Sequence, residues 1–359
     1  MIRLTWRQFR TSAWVALVAL TLLTVVAAIT GPNLVHVHTA TMAACHRTGD
    51  CTGAITAFLR TDSVLRNTFG TLVTVVPALI GMFWGAPLIA REIEAGTFPL
   101  VWTQSVTRTR WLSVKLATVG LASALGAGLL SLIVTWWARP LDSAGTAAYA
   151  TFSQRDIAPI GYALLAFAIG VTAGMVIRRT VPAMAVTLFV FLAVRIGTTF
   201  GLRPRLIGPA HHALALDPAS TGFGSESSPG IALNSLFNGG PSSALEPATP
   251  IMPNAWIYST RVVDDSGHDL TNRVLNADCP NLAAGGGPAV PGHVEAAQSA
   301  QQRMQACVSK VGATYHELIT YQPAGRYWAF QWLEFAAYGA AALLLAAFCL
   351  WWVRRRRTA

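Results

Sequence analysis

The chain has 359 residues, of which 53% are hydrophobic and only 12% charged, with a formal net charge of +10. Ordinary soluble domains carry about 25% charged residues, so this composition argues against a soluble enzyme and for a polytopic membrane protein. The positive charge comes with no basic stripe and no recognised nucleic-acid-binding motif, which excludes nucleic acid as a partner and leaves membrane topology as its cause.

Taken in order, residues 1–12 mix Ile2, Leu4, Trp6 and Phe9 with Arg3, Arg7 and Arg10. That pattern predicts a short basic segment on the inner membrane surface before the chain turns inward. Ala13–Thr30 is the first apolar run, and Gly31-Pro32 is expected to end it. The run exceeds a typical signal-peptide core and no small-x-small cleavage site follows promptly, so it reads as an uncleaved span. Five more runs follow, at Thr68–Ala90, Leu112–Trp137, Pro159–Ile177, Val181–Phe200 and Trp328–Val353. Each approaches or exceeds the roughly 20 residues that cross a bilayer core. Pro77, Gly81, Gly85 and Pro87 predict a kinked, tightly packed second span.

Basic residues orient these six spans. With the N-terminus inside, the inner segments carry Arg3, Arg7 and Arg10; Arg91, Arg108, Arg110 and Lys115; Arg178 and Arg179; and Arg354 to Arg357. These are half of all 26 Lys and Arg, held in much less than half of the non-membrane chain. The expectation is a multi-pass protein of the plasma membrane with both termini cytoplasmic. Three regions result: residues 1–200 with spans one to five, an extracytoplasmic segment at 201–325 rich in Gly, Pro, Ser and Asn, and 326–359 with the sixth span and a basic tail.

Candidate chemistry is sparse. No GxxxxGK[ST], GxSxG or HExxH string occurs, and Ser259, Asp264, Asp265, His268 and Asp269 show no triad spacing. The chain therefore reads as no enzyme, with no catalytic residue, no metal site and no directly bound cofactor. Cys45, Cys51, Cys279 and Cys307 lie in two external segments, where oxidation is permitted. Pairs 45–51 and 279–307 are the expected disulfides, although four cysteines allow three connectivities. Two charges fall within spans, Arg195 in the fifth and Glu334 in the sixth. A charge there costs about 2.5–3.5 kcal/mol on translocon scales, so it either faces a bundle interior or snorkels to the interface. The two are expected to pair with one another or to line a substrate path.

The most informative stretch lies between spans two and three. Ala90-Arg91-Glu92-Ile93-Glu94-Ala95-Gly96-Thr97, followed by Thr103-Gln104-Ser105-Val106-Thr107-Arg108-Thr109-Arg110-Trp111 and Lys115-Leu116, resembles the ABC-2 type permeases. In that family a Glu-x-Gly-Thr element follows the second span, and an Arg–Lys stretch leads into the third. Tyr321-Gln322-Pro323 and Arg326-Tyr327-Trp328 before the last span add a resemblance to permease-like proteins of high-GC actinobacteria. The departure is the long 201–325 segment, where compact members have a short loop.

The resemblance implies an all-α integral membrane protein of six helices, the transmembrane permease subunit of an exporter for a drug-like, lipid or peptide substrate. It implies two protein partners, a separate ABC ATP-binding subunit that uses ATP and a second permease copy, homo- or heterodimeric, all within the lipid bilayer. Arg91, Glu92, Glu94, Gly96, Thr97, Arg108 and Arg110 would form the ATPase-coupling loop. The alternative is a membrane-anchored sensor or interaction protein whose outer segment binds a ligand; such a protein needs no Glu-x-Gly-Thr element.

Overall fold

The computed structural model describes residues 2–48, 63–95, 107–143, 149, 151–215, 254–271, 302, 306–307 and 309–355. Its helices are α1 (Ile2–Thr48), α2 (Ser63–Ile80), α3 (Pro87–Glu94), α4 (Arg108–Ser143), α5 (Ala158–Ile177), α6 (Thr180–Ile196), α7 (Arg203–Leu206) and α8 (Tyr327–Arg355). Two π-helical segments, Gly81–Gly85 and Gly197–Leu202, join α2 to α3 and α6 to α7. The result is six helical rods long and apolar enough to cross a membrane: Phe9–Cys45, Val64–Glu94, Arg108–Pro140, Ala158–Ile177, Thr180–Leu206 and Ala324–Arg355.

α5 is the axis of the bundle. It packs against α2, the first π segment, α3, α4, α6 and α8. Its sequence, apolar on every side and rich in Ala and Gly, suits a helix surrounded by others rather than by lipid. The closest approach is to the first π segment. A Cβ on Gly170 would sit 2.2 Å from the Gly81 carbonyl oxygen, one on Gly174 would sit 2.4 Å from the Ala86 oxygen, and one on Gly81 would sit 2.6 Å from the Ala166 oxygen. Ala166, Gly170 and Gly174 recur every four residues, so small residues line one stripe of α5 and let two backbones touch. The expected distortion of the second span takes the form of a π turn. Ala86 N–H bonds to the Gly81 oxygen at 3.0 Å, and Pro87 sits at the first position of α3, where its missing N–H is harmless.

Two sequence expectations fail at α1. The helix runs unbroken from Ile2, so residues 1–12 do not form a separate surface segment, and it continues through Gly31-Pro32 to Thr48. Packing overrides the punctuation. Leu34 is buried beyond the proline, in a cluster with Ala27, Phe69, Val73, Leu130, Val134 and Trp137. Gly31 provides clearance, with Trp136 only 3.2 Å from where its Cβ would be. Trp137 Nε1 donates to Thr30 Oγ1 at 3.1 Å. Neighbouring helices thus hold a proline inside a membrane helix. Likewise α4 extends to Ser143, beyond the expected end at Trp137.

The all-helical expectation describes the bundle but not residues 201–325. These supply an antiparallel sheet of order β1-β3-β2, with β1 Ala210–Ala215, β2 Trp256–Asp264 and β3 Tyr315–Gln322. β1 pairs with β3 from Ala210↔Tyr321 to Ala215↔His316, and β2 with β3 from Trp256↔Gln322 to Asp264↔Tyr315. β2 and β3 are dense in aromatic and β-branched residues, the composition that fits a pleated surface. The sheet lies at one end of the bundle, the sheet end. At the opposite, basic end, Phe9, Trp111, Leu112 and Val353 join one cluster, which brings the start of α1 and the end of α8 together.

Candidate functional site

Polar side chains concentrate at both ends of the bundle. At the basic end, α3 is fastened to two other spans. Glu92 pairs with Lys115, near the start of α4, and the Lys115 ammonium is fully buried beside the Trp111 ring, 4.7 Å from its centroid. Glu94 accepts a hydrogen bond from the Thr180 hydroxyl at the start of α6. α5 ends in a left-handed Arg178 (φ 61°), so the turn into α6 is only two residues long and Thr180 is brought within reach of α3. Of the expected coupling residues, Arg91, Glu94 and Arg110 are exposed, Arg108 is half-buried, and Glu92 is mostly hidden by Lys115. Glu92 thus serves inside the bundle, while Glu94 stays at the surface. Gly96 and Thr97 lie outside the described residues.

At the sheet end, Arg195 and Glu334 do meet, at 3.5 Å. The tighter partner of Glu334 is Arg203, which the sequence alone places in the outer segment. Arg203 Nε and Nη2 donate to the two Glu334 carboxylate oxygens at 3.0 and 2.9 Å, and Nη2 also reaches Ser153 Oγ at 3.0 Å. Tyr162 donates to Glu334 at 2.8 Å, and the Arg195 guanidinium lies 3.8 Å above the Tyr162 ring. The π segment 197–202 and the short α7 carry the chain from Arg195 to Arg203, so both arginines turn toward the same carboxylate.

Gln331, one turn before Glu334, extends the network. It accepts from Ala158 N–H at 2.9 Å and donates to the Phe152 oxygen and to Tyr327 Oη at 3.1 and 3.0 Å. Tyr327 donates in turn to Asp156, which also pairs with Arg155. Glu334, Gln331, Arg203 and Arg155 are all buried, as buried charges must be when paired and hydrogen-bonded. Sequence reasoning missed Arg203, Gln331 and Tyr162. Of these, Gln331 could have been found from its i, i+3 spacing to Glu334 within a largely apolar run; nothing comparable marks Arg203 or Tyr162.

The sheet is bound to this network. Gln322 donates to the Ile207 oxygen at 2.7 Å, and Arg326 donates to the Gly208 oxygen at 2.7 Å and to Gln322 Oε1 at 2.9 Å. Tyr149 packs among Phe152, Trp256, Tyr327 and Phe330 and donates to the Pro323 oxygen at 3.2 Å. Burial pushes its phenol up to about 12, which keeps it a donor throughout the physiological range.

The remaining candidates are structural. Asp264 accepts from the Ser266 and His268 backbone N–H groups at 2.9 and 2.8 Å, which hold its carboxyl below the usual range, and Gly267 takes φ +84°. Asp264, Asp265 and His268 therefore build a tight turn, and Asp269 pairs with Arg261 at 2.6 Å. Cys45 and Cys307 are each disulfide-bonded and Cys349 is free; Cys51 and Cys279 lie outside the described residues. No group of three or more potential metal ligands occurs among the described residues.

Six membrane-crossing helices around an all-apolar axis, with charge confined to the two ends, define a multi-pass membrane protein. Residues 17–203 match the family described as ABC-2 membrane transporter related, and the chain belongs to it. It is thus a permease of an ABC transporter, a kind of assembly that includes an ATP-binding partner. The match ends at Arg203, so the sheet and α8 lie beyond it. No curated protein and no solved structure matches the chain.

Proposed function

We propose that the chain is the export permease of an ABC-2 transporter, coupled at its basic end to a separate ATP-binding subunit. In this reading the basic end is cytoplasmic, the sheet is extracytoplasmic, and the permease acts beside a second copy. ATP is bound and hydrolysed by the partner, and the permease itself takes no cofactor. The supporting observation is the fastening of α3. Its exposed face offers Arg91 at the membrane surface, while Glu92 and Glu94 tie it to α4 and α6. A push on α3 is therefore delivered to three spans at once, and the π turn just above it is a weak point in the helix where the push can be absorbed as a bend. ATP binding shifts the inward/outward equilibrium to the extent that the ATPase grips one state better than the other.

The test is affinity purification of the tagged chain from its native membrane, followed by mass spectrometry. Wild type is expected to bring down an ABC ATPase. Arg110→Glu, at an exposed position, is expected to weaken that recovery, since rim charges steer encounter and orientation. A wild-type preparation that is monodisperse and free of any ATPase overturns the proposal and favours a sensor whose sheet domain reports through Glu334.

A further inference from the structure

Helices α6 and α8 are bonded to one another at one end and face a groove along the rest. At the sheet end Arg195 and Arg203 share Glu334, and Thr198 hydrogen-bonds to Tyr338. Toward the basic end an apolar groove of about 640 Å³ lies between α5, α6 and α8, lined by Ile169 and Ala173, by Val186 and Val190, and by Ala341 and Leu344. Among the described residues, no hydrogen bond or ion pair runs to α8 from the stretch of α6 that lines it; the links begin at Arg195. Lipid tails are as apolar as these walls, so helix contacts along the groove exchange for lipid at little cost. The sheet-end bonds have no such substitute.

The sheet reinforces that one junction. The chain leaves the bundle at Leu206, the end of α7, and returns at Tyr327, the start of α8. The strands next to these two points, β1 and β3, are paired with each other, beginning at Ala210↔Tyr321. Side chains bridge the short stretch between α7 and β1: the fully buried Gln322 donates to the Ile207 oxygen, and Arg326 to the Gly208 oxygen. Arg203 adds a third tie, 4.5 Å above the Phe152 ring and 6.0 Å from the ring of Trp256 at the start of β2. Parting α6–α7 from α8 at this end therefore means opening the root of the ladder, these side-chain bonds and the Glu334 cluster together. The other end of α6 has one described polar tie to α3, from Thr180 to Glu94.

We propose that α6 is a lever whose pivot is the sheet. The sheet straps the end of α6–α7 to the start of α8, and the Thr180 end of α6 swings, so that the groove widens and narrows from the basic end only. Pivot and swing stand on the geometry alone; that an ATPase supplies the force at Thr180 through α3 rests on the export reading above.

The test is a pair of spin-label distance measurements on the purified full-length protein in phosphatidylcholine nanodiscs, without nucleotide or ATPase, so that its failure is separate from any failure of coupling. One pair, Leu202→Cys with Ala329→Cys, spans the sheet end; the other, Val181→Cys with Ala347→Cys, spans the basic end, and all four positions are exposed. The protein without these substitutions, whose free Cys349 is buried, sets the labelling background. A single narrow distance is expected at the sheet end and a broader distribution at the basic end. Glu94→Ala, which removes the tie to Thr180, should broaden the basic-end distribution further and leave the sheet end unchanged. Arg326→Ala should raise the fraction of longer sheet-end distances about tenfold, the scale of one hydrogen bond to a charged group, and adding Gln322→Ala should raise it further. If the double variant misfolds, Arg326→Ala, at a half-buried site, keeps the test valid. Arg261→Ala, which breaks the exposed Arg261–Asp269 pair away from the root, should change neither distribution. A sheet end as broad as the basic end, a basic end unmoved by Glu94→Ala, an effect of Glu94→Ala on both pairs alike, a sheet end unmoved in Arg326→Ala, or equal broadening by Arg261→Ala each overturns the proposal.

Discussion

The two ends of the bundle solve the same problem in opposite ways. At the basic end, polar groups are handled pairwise, Glu92 with Lys115 in a buried pair and Glu94 with the Thr180 hydroxyl at the surface. At the sheet end a single carboxylate, Glu334 on α8, is shared by Tyr162, Arg195 and Arg203, groups from the successive helices α5, α6 and α7 that lie far from α8 in the chain. The first arrangement can loosen one link at a time; the second stands or falls together. Under the proposed export reading, the basic end would move with the ATPase while the sheet end keeps its shape.

The sharpest way to break the comparison is at Glu334. Glu334→Ala strands two buried guanidinium groups and should cost about 3–5 kcal/mol, enough to lose monodisperse protein or most of its thermal stability in detergent. The hierarchy among partners gives a finer test. Arg203→Met should be clearly worse than Arg195→Met, and replacing the whole triad by Arg195→Met, Arg203→Met and Glu334→Leu should recover part of the loss, because it leaves none of the three charges buried without a partner. Equal effects of the two arginine changes would contradict the bidentate contact.

The second prediction concerns the contact between the ends. Gly170→Ala places a methyl group where the Gly81 oxygen already sits 2.2 Å away, and overpacking of this kind should cost about 1–3 kcal/mol. It should also stiffen the junction of α5 with the π turn and reduce ATP-driven transport more than ATPase recruitment. Gly126→Ala is the control: no atom lies within 4 Å of the new Cβ, and stability should stay level or rise slightly, by less than about 1 kcal/mol.

How much of this was legible in the sequence follows from how local each signal is. Six apolar runs and a charged island are contiguous strings, and the spans and the family resemblance could be read from them directly. Helix ends were read less well, because Gly31-Pro32 is a local stop signal and the burial of Leu34 against Trp137 is not a local fact. Arg195 and Glu334 stood out as charges inside apolar runs. Arg203 did not, since it lies just past the expected end of the fifth span, and only the π segment that continues that helix carries it back into the bundle. The sheet was missed because its three strands are separated by long Gly- and Pro-rich stretches that lower the average of every window around them. Yet Trp256–Asp264 and Tyr315–Gln322, taken alone, have strand composition.

Apart from the Gly126→Ala control, the smallest expected effect lies in that sheet. Glu317, on the central strand β3, is buried to 9% exposure and its Oε1 has no hydrogen-bond partner among the described residues. Burial raises its carboxyl above the usual range. A folded-state value above the unfolded one means that the folded chain binds the proton more tightly, so Glu317 carries no penalty below the unfolded value near 4.3 and an increasing one as pH rises toward and through the folded value. Glu317→Gln removes the ionisable group at nearly constant shape. It should stabilise the sheet at neutral pH by about 1 kcal/mol or somewhat more, with the advantage shrinking toward zero near pH 4. Melting curves of the full-length protein at several pH values, read from a probe on β2, would show it. An advantage that grows as the pH falls would mean that Glu317 is ionised and paired in the folded state, and the sheet would then resemble the charged end of the bundle more than its apolar interior.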